Sequence, residues 1–139
     1  MLLIGTFSAL NAQSPEDMMS SFFKTYQKDK PVEALDELYA HTPWIDSISD
    51  DVEKLKTQFR DLKKLVGEYN GHELLYEKNV RECFVLATYL VKFDRQPVRF
   101  NFEFYKPKKK WILYSFSYDD SFDDDLERAM KYEILEMTR

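Results

Sequence analysis

The sequence predicts an α+β domain, with N-terminal helices packed on a curved antiparallel sheet and an extra helix after the last strand. Three observations carry that expectation. Apolar residues recur at spacings of three and four as far as Val66. The period then changes to two, from His72 to Tyr118. It returns to three and four between Leu126 and Met137. Helices, then consecutive strands, then a helix is an α+β order.

Ser14-Pro15-Glu16-Asp17 opens the first helix. Ser14 is its cap, Pro15 suits the first helical position, and Asp17 stands where a capping-box acid would. Met18, Met19, Phe22, Phe23 and Tyr26 follow at helical spacing, and the helix ends before Lys30-Pro31. A shorter helix carries Val32, Leu35, Leu38 and Tyr39 on one side. Pro43 interrupts it, because the residue before a proline avoids helical geometry. A third helix starts with Ser49 as cap and Asp50 and Asp51 at the positive end of its dipole. Ile48, Val52, Leu55, Phe59, Leu62 and Val66 line one face, and Gly67 terminates it.

The first strand is expected over 72–78, closed by a turn near Asn79. From Cys83 to Phe93 both alternating sets are mostly apolar, which predicts a central strand covered on both sides. Cys83 reads there as a small core residue. From Val98 to Tyr105, Val98, Phe100, Phe102 and Phe104 alternate with Arg99, Asn101, Glu103 and Tyr105, giving one core face and one wet face. Lys106-Pro107-Lys108-Lys109-Lys110 connects to a last strand, Trp111 to Tyr118. An acidic loop over 119–125 leads to the final helix, whose stripe is Leu126, Ala129, Met130, Ile134 and Met137.

Length and composition bound the function. The 139 residues suit one domain, taken as 14–139. A single cysteine rules out an internal disulfide framework and cysteine-based zinc sites. A net charge of -5 argues against a nucleic-acid binder, which needs clustered Lys and Arg. No segment approaches the roughly 20 apolar residues of a transmembrane helix. The uncharged start, MLLIGTFSALNAQ, looks like a signal-peptide remnant over 1–13, although no basic residue follows Met1. A start codon placed too late would account for that gap. The expectation is export, periplasmic or secreted; the alternative is a cytoplasmic protein whose N-terminus is simply buried.

The order of elements resembles the nuclear transport factor 2-like (SnoaL-like, cystatin-like) superfamily. The resemblance covers about Ser14 to Tyr118 and rests on the long third helix ending in Val66-Gly67 and on the strands 83–93, 98–105 and 111–118. Phe104-Tyr105-Lys106-Pro107 followed by Trp111 is similar to small exported members. The resemblance implies a cone-shaped sheet closing a pocket against the helices. It implies ligand or partner binding in many members, and dehydratase or isomerase chemistry in some. The final helix departs from the minimal fold and would cover the sheet or a dimer surface.

Candidate chemistry is sparse. His41 and His72 are the two histidines, and either suits a general base near neutral pH if Asp46 or Glu103 lies in reach. Asp119, Asp120, Asp123, Asp124, Asp125 and Glu127 suggest calcium, but the alternate spacing and the glycine of an EF-hand are missing. Such acids also belong at a helix N-terminus. Lys106 and Lys108 to Lys110 read as a solvated turn. Trp44, Tyr76, Tyr89, Arg99 and Tyr114, with His41, are the residues expected to line a pocket, since aromatic bodies with polar tips suit ligand sites. No cofactor is implied, in the absence of a glycine-rich phosphate loop or zinc spacing. The expected protein binds a small molecule or a protein partner, as a monomer or homodimer.

Overall fold

A computed structural model describes residues 13–138. The leader-like stretch lies almost wholly outside the described residues. The described chain is α+β. It runs α1 (Pro15–Tyr26), α2 (Pro31–Tyr39), a 3-10 turn (Ile45–Ile48), α3 (Ser49–Val66), β1 (Tyr69–Val80), β2 (Phe84–Phe93), β3 (Pro97–Tyr105), β4 (Ile112–Asp119) and α4 (Phe122–Met137). The four strands form one antiparallel meander in the order β1-β2-β3-β4.

Local chemistry explains the helix ends. The Ser14 hydroxyl accepts from the Asp17 amide at 3.1 Å, and the Asp17 carboxylate accepts from the Ser14 amide at 3.4 Å. This closes a capping box with a short acid. Gly67 ends α3 at φ 90° and ψ -161°, a region open essentially to glycine alone. The β2–β3 turn then clasps that helix end. Arg95 donates its amide to the Val66 carbonyl and its guanidinium to the Lys64 and Leu65 carbonyls, which satisfies acceptors that no helical partner reaches.

The core lies between α1–α3 and one face of the sheet. Val98, Phe100, Phe102 and Phe104 of β3 point into it, as the alternation predicts. The Phe22 ring of α1 sits 5.1 Å from Phe102 and 5.4 Å from Phe116, and Phe59 of α3 sits 5.3 Å from Phe100. Each fully buried ring of this kind stabilises the fold by about 1.5–3 kcal/mol. Thr42 is the one buried polar side chain among the described residues. Its hydroxyl donates to the Leu113 carbonyl at 3.1 Å and ties the α2–α3 connection to β4.

Several expectations are corrected. Cys83 is not in the core: it is exposed in the turn between β1 and β2. The turn comes after Val80, because Arg81 and Glu82 take positive φ there while Asn79 stays in the strand. Asn79 still shapes the turn, since its side chain accepts from the Glu82 amide. The first strand starts at Tyr69, before His72. Ser49 is the first helical residue of α3, not its cap; the preceding 3-10 turn supplies the lead-in. The last helix starts at Phe122, inside the stretch expected to be an acidic loop. β2 is central in the ladder but covered on one side only. Its second set, Phe84, Leu86, Thr88 and Leu90, is half-buried by neighbours on the same face, with no further layer above it among the described residues.

Candidate functional site

The outer face of the sheet has two halves. At the end where β4 finishes, a polar network runs across three strands. Thr88 donates to Asn101 at 3.1 Å, and Asn101 donates to Asp119 at 3.1 Å. Arg99 binds Asp119 through Nε, and its Nη2 lies 2.7 Å from the Asp125 carboxylate. Burial would raise the Asp119 pKa. The bonds from Arg99, Ser121 and Asn101 outweigh burial and hold it below the usual carboxylate range.

At the opposite end the face is apolar. Val80 pairs with Phe84, and Phe84 with Tyr105. A register shift after Glu103 brings Tyr114 outward, with its ring 5.9 Å from Phe84. Tyr76 and Tyr114 are 55% and 60% exposed.

The root of α4 packs on the domain. Phe122 and Asp125 are half-buried, and every later residue described in α4 is exposed. Its stripe of Leu126, Met130, Ile134 and Met137 is 50–84% exposed. An exposed amphipathic helix and an exposed apolar sheet face are each the pattern of an interaction surface. The stripe itself was legible in the sequence. Its lack of cover was not, because periodicity says which residues share a face and not what lies against it.

The domain also carries two recesses, one at the margin of the sheet and one on the helix layer. The larger, about 650 Å³, opens between the end of α3 and the ends of β3 and β4. Leu62, Leu65, Val98 and Tyr118 give it apolar walls, and Asp61 and Asp120 stand at its edge. Its size falls in the range of small-molecule sites. A smaller one, about 240 Å³, holds His41 beside Glu37 and Met18. Glu37 is engaged there by the Thr25 hydroxyl at 2.8 Å.

The six residues expected to line one pocket do not converge. Tyr89 lies on the core side, its ring 4.9 Å from Phe23 and 5.7 Å from Phe102. Arg99, Tyr76 and Tyr114 belong to the outer face. Trp44 and His41 sit in the α2–α3 connection, Trp44 exposed and His41 half-buried. His72 stacks on Phe23 at 3.7 Å, and its Nδ1 lies 2.6 Å from the Tyr69 hydroxyl. Burial lowers its pKa. Lys106 sits over the Trp111 ring at 5.0 Å. Among the described residues no group of three metal-ligating side chains comes together, and no helix is long and apolar enough to cross a membrane. Compared with protein-family models, curated proteins and solved structures, the chain matches none.

Proposed function

We propose that this chain is a binding protein that works without catalysis, through the outer sheet face and α4. One observation carries the reading. The space between helices and sheet is filled by the rings of Phe22, Phe59, Phe100, Phe102 and Phe116, while large apolar side chains are left uncovered on the other side of the sheet. A filled interior leaves a protein partner as the main occupant of the outer surface, and the 650 Å³ recess at its margin is the place for a small molecule. The state of His72 supports binding over dehydratase or isomerase chemistry. Its ring face is covered by Phe23 and its Nδ1 is taken by Tyr69. Export, and membership of the nuclear transport factor 2-like superfamily, belong to the same proposal. Export rests on the leader-like sequence, and membership on the order of elements.

The test is site-specific photocrosslinking in the native cells, with a photoreactive residue at Tyr114, at Met130, or at the exposed control Lys54 of α3. Discrete crosslinked species from Tyr114 and Met130 and none from Lys54 are expected. Crosslinks from Lys54 alone, or turnover of a substrate abolished by His72→Gln with the fold intact, would overturn the reading.

A further inference from the structure

The β1–β2 and β3–β4 turns meet at one end of the sheet. The Lys106 amide donates to the Cys83 carbonyl at 2.8 Å and joins them. Together the two turns hold five cations, Arg81, Lys106, Lys108, Lys109 and Lys110, and one carboxylate, Glu82. Arg81 and the three consecutive lysines are exposed. Among the described residues none of the five forms an ion pair, whereas Lys56, Lys63 and Arg99 each hold two carboxylates. Uncompensated cations gathered in this way repel one another, and an anionic partner relieves that repulsion.

Two further features sit at the same end. Lys106 lies over the Trp111 ring, which is half-buried, and Tyr105 at the end of β3 is exposed. Ser14, Pro15 and Glu16, where α1 begins, share a recess of about 230 Å³ with Lys106 and Trp111. The uncharged residues 1–12 therefore join the domain at its basic end. The acids of α1 do not neutralise the turns. Glu16 faces that recess without pairing with Lys106, and Asp17 is engaged by the Ser14 amide. The chain as a whole is acidic, at -5, but its densest acids, over 119–127, stand at the far end of β4. Eight residues of strand put them about 25 Å away, roughly three screening lengths at physiological salt.

We infer that this end of the domain docks on an anionic lipid surface. The lysines reach the headgroups, Trp111 and Tyr105 suit the interfacial layer, and the point where residues 1–12 attach faces the membrane. A nucleic acid is a poorer fit, because its backbone needs a longer basic track and the rest of the chain is acidic. Docked this way, the domain leaves the outer sheet face and α4 open to a protein partner.

Flotation of the full chain with lipid vesicles tests the inference. Binding to phosphatidylcholine vesicles holding roughly one-third phosphatidylglycerol is expected to exceed binding to phosphatidylcholine alone by about tenfold, and to fall as salt rises. Lys109→Glu with Lys110→Glu should weaken it by about tenfold. Lys24→Glu with Lys28→Glu makes the same change in total charge on exposed residues at the other end of α1, and should leave binding unchanged. Equal binding to both kinds of vesicle overturns the inference, because residues 1–12 would then be the anchor. So does an equal loss in the two double variants, which would assign the attraction to total charge, or a wild type that does not float. Retention of DNA that is lost in Lys109→Glu with Lys110→Glu, without binding to vesicles, would assign the basic end to nucleic acid instead.

Discussion

Arg99 bridges two carboxylates that belong to different elements: Asp119 at the end of β4 and Asp125 in the first turn of α4. This bridge, with the half-buried Phe122, anchors a helix that is otherwise exposed. Asp125→Asn keeps the shape and removes the charge. Because Asp125 is 40% exposed, the loss in global stability should be small, about 0.2–1 kcal/mol. Amide exchange is the sharper measurement. Amides after Leu126 should exchange several-fold faster in Asp125→Asn, while those of β3 stay unchanged.

The same bridge sets a response to acid. Asp119 has a folded pKa below its ordinary value of about 3.9. A carboxylate with a depressed folded pKa contributes stability above its unfolded pKa, and that contribution is lost as pH falls through the folded value. Urea midpoints should therefore drop below about pH 4. Arg99→Met should lower stability at pH 7 by about 1–2 kcal/mol and flatten the acid drop. An undiminished acid drop in Arg99→Met would assign it to other carboxylates.

Gly67 permits a close approach. A Cβ at this position would lie 2.8 Å from the Asp94 Cβ, and φ is +90°. Asp94 cannot retreat freely, because its carboxylate accepts from the Glu68 amide at 3.1 Å and from Asn70 at 2.8 Å. Gly67→Ala should cost about 1–3 kcal/mol through backbone strain alone. The ψ of -161° excludes the left-handed helical region that asparagine tolerates, so Gly67→Asn should rescue nothing. Denaturant melts of both variants settle the point.

Cys83 offers a direct check on the β1–β2 turn. It is the only cysteine and is exposed, so alkylation of the folded protein should go to completion without denaturant. A buried thiol would react only on unfolding. The chain itself hid this, since Cys83 continues the apolar alternation of Val85, Ala87 and Tyr89. Positive φ at Arg81 and Glu82, residues that seldom adopt it, places the turn one step later than the pattern implies.

The rest of the molecule divides along the same line. The order of elements was readable because the switches of period at Gly67 and Asp119 are clean, and the core face of β3 because its alternation is strict. The outer surface was not readable. Phe84, Leu86 and Leu90 look like core in sequence because an apolar set does not say which layer covers it. The Arg99–Asp119 pairing depends on a hairpin register, and the shift between Glu103 and Phe104 alters that register within the strand pair. No count along the chain finds such a shift. Arg99 was singled out from the sequence as a polar residue on a wet face, but its two partners come from pairing and from the entry of α4.

His72 gives a prediction at milder pH. Burial against Phe23 lowers its folded pKa below the ordinary value of about 6.5; Glu73 opposes the shift without cancelling it, and Lys92 adds to it. A histidine with a depressed folded pKa stays neutral in the native state while the unfolded chain takes up a proton. Stability is therefore full above about pH 6.5, falls as pH drops toward the folded value, and is flat beneath it. The Tyr69 hydroxyl at 2.6 Å belongs with the neutral ring, and Tyr69→Phe should leave the direction of the effect unchanged because burial is its first cause. His72→Phe keeps the stack on Phe23 and removes the proton site. Its urea midpoint should be the same at pH 7.5 and pH 5.5, whereas that of the wild type should be lower at pH 5.5. An equal drop in both proteins would show that His72 does not titrate on unfolding, and would place the mild-acid response elsewhere.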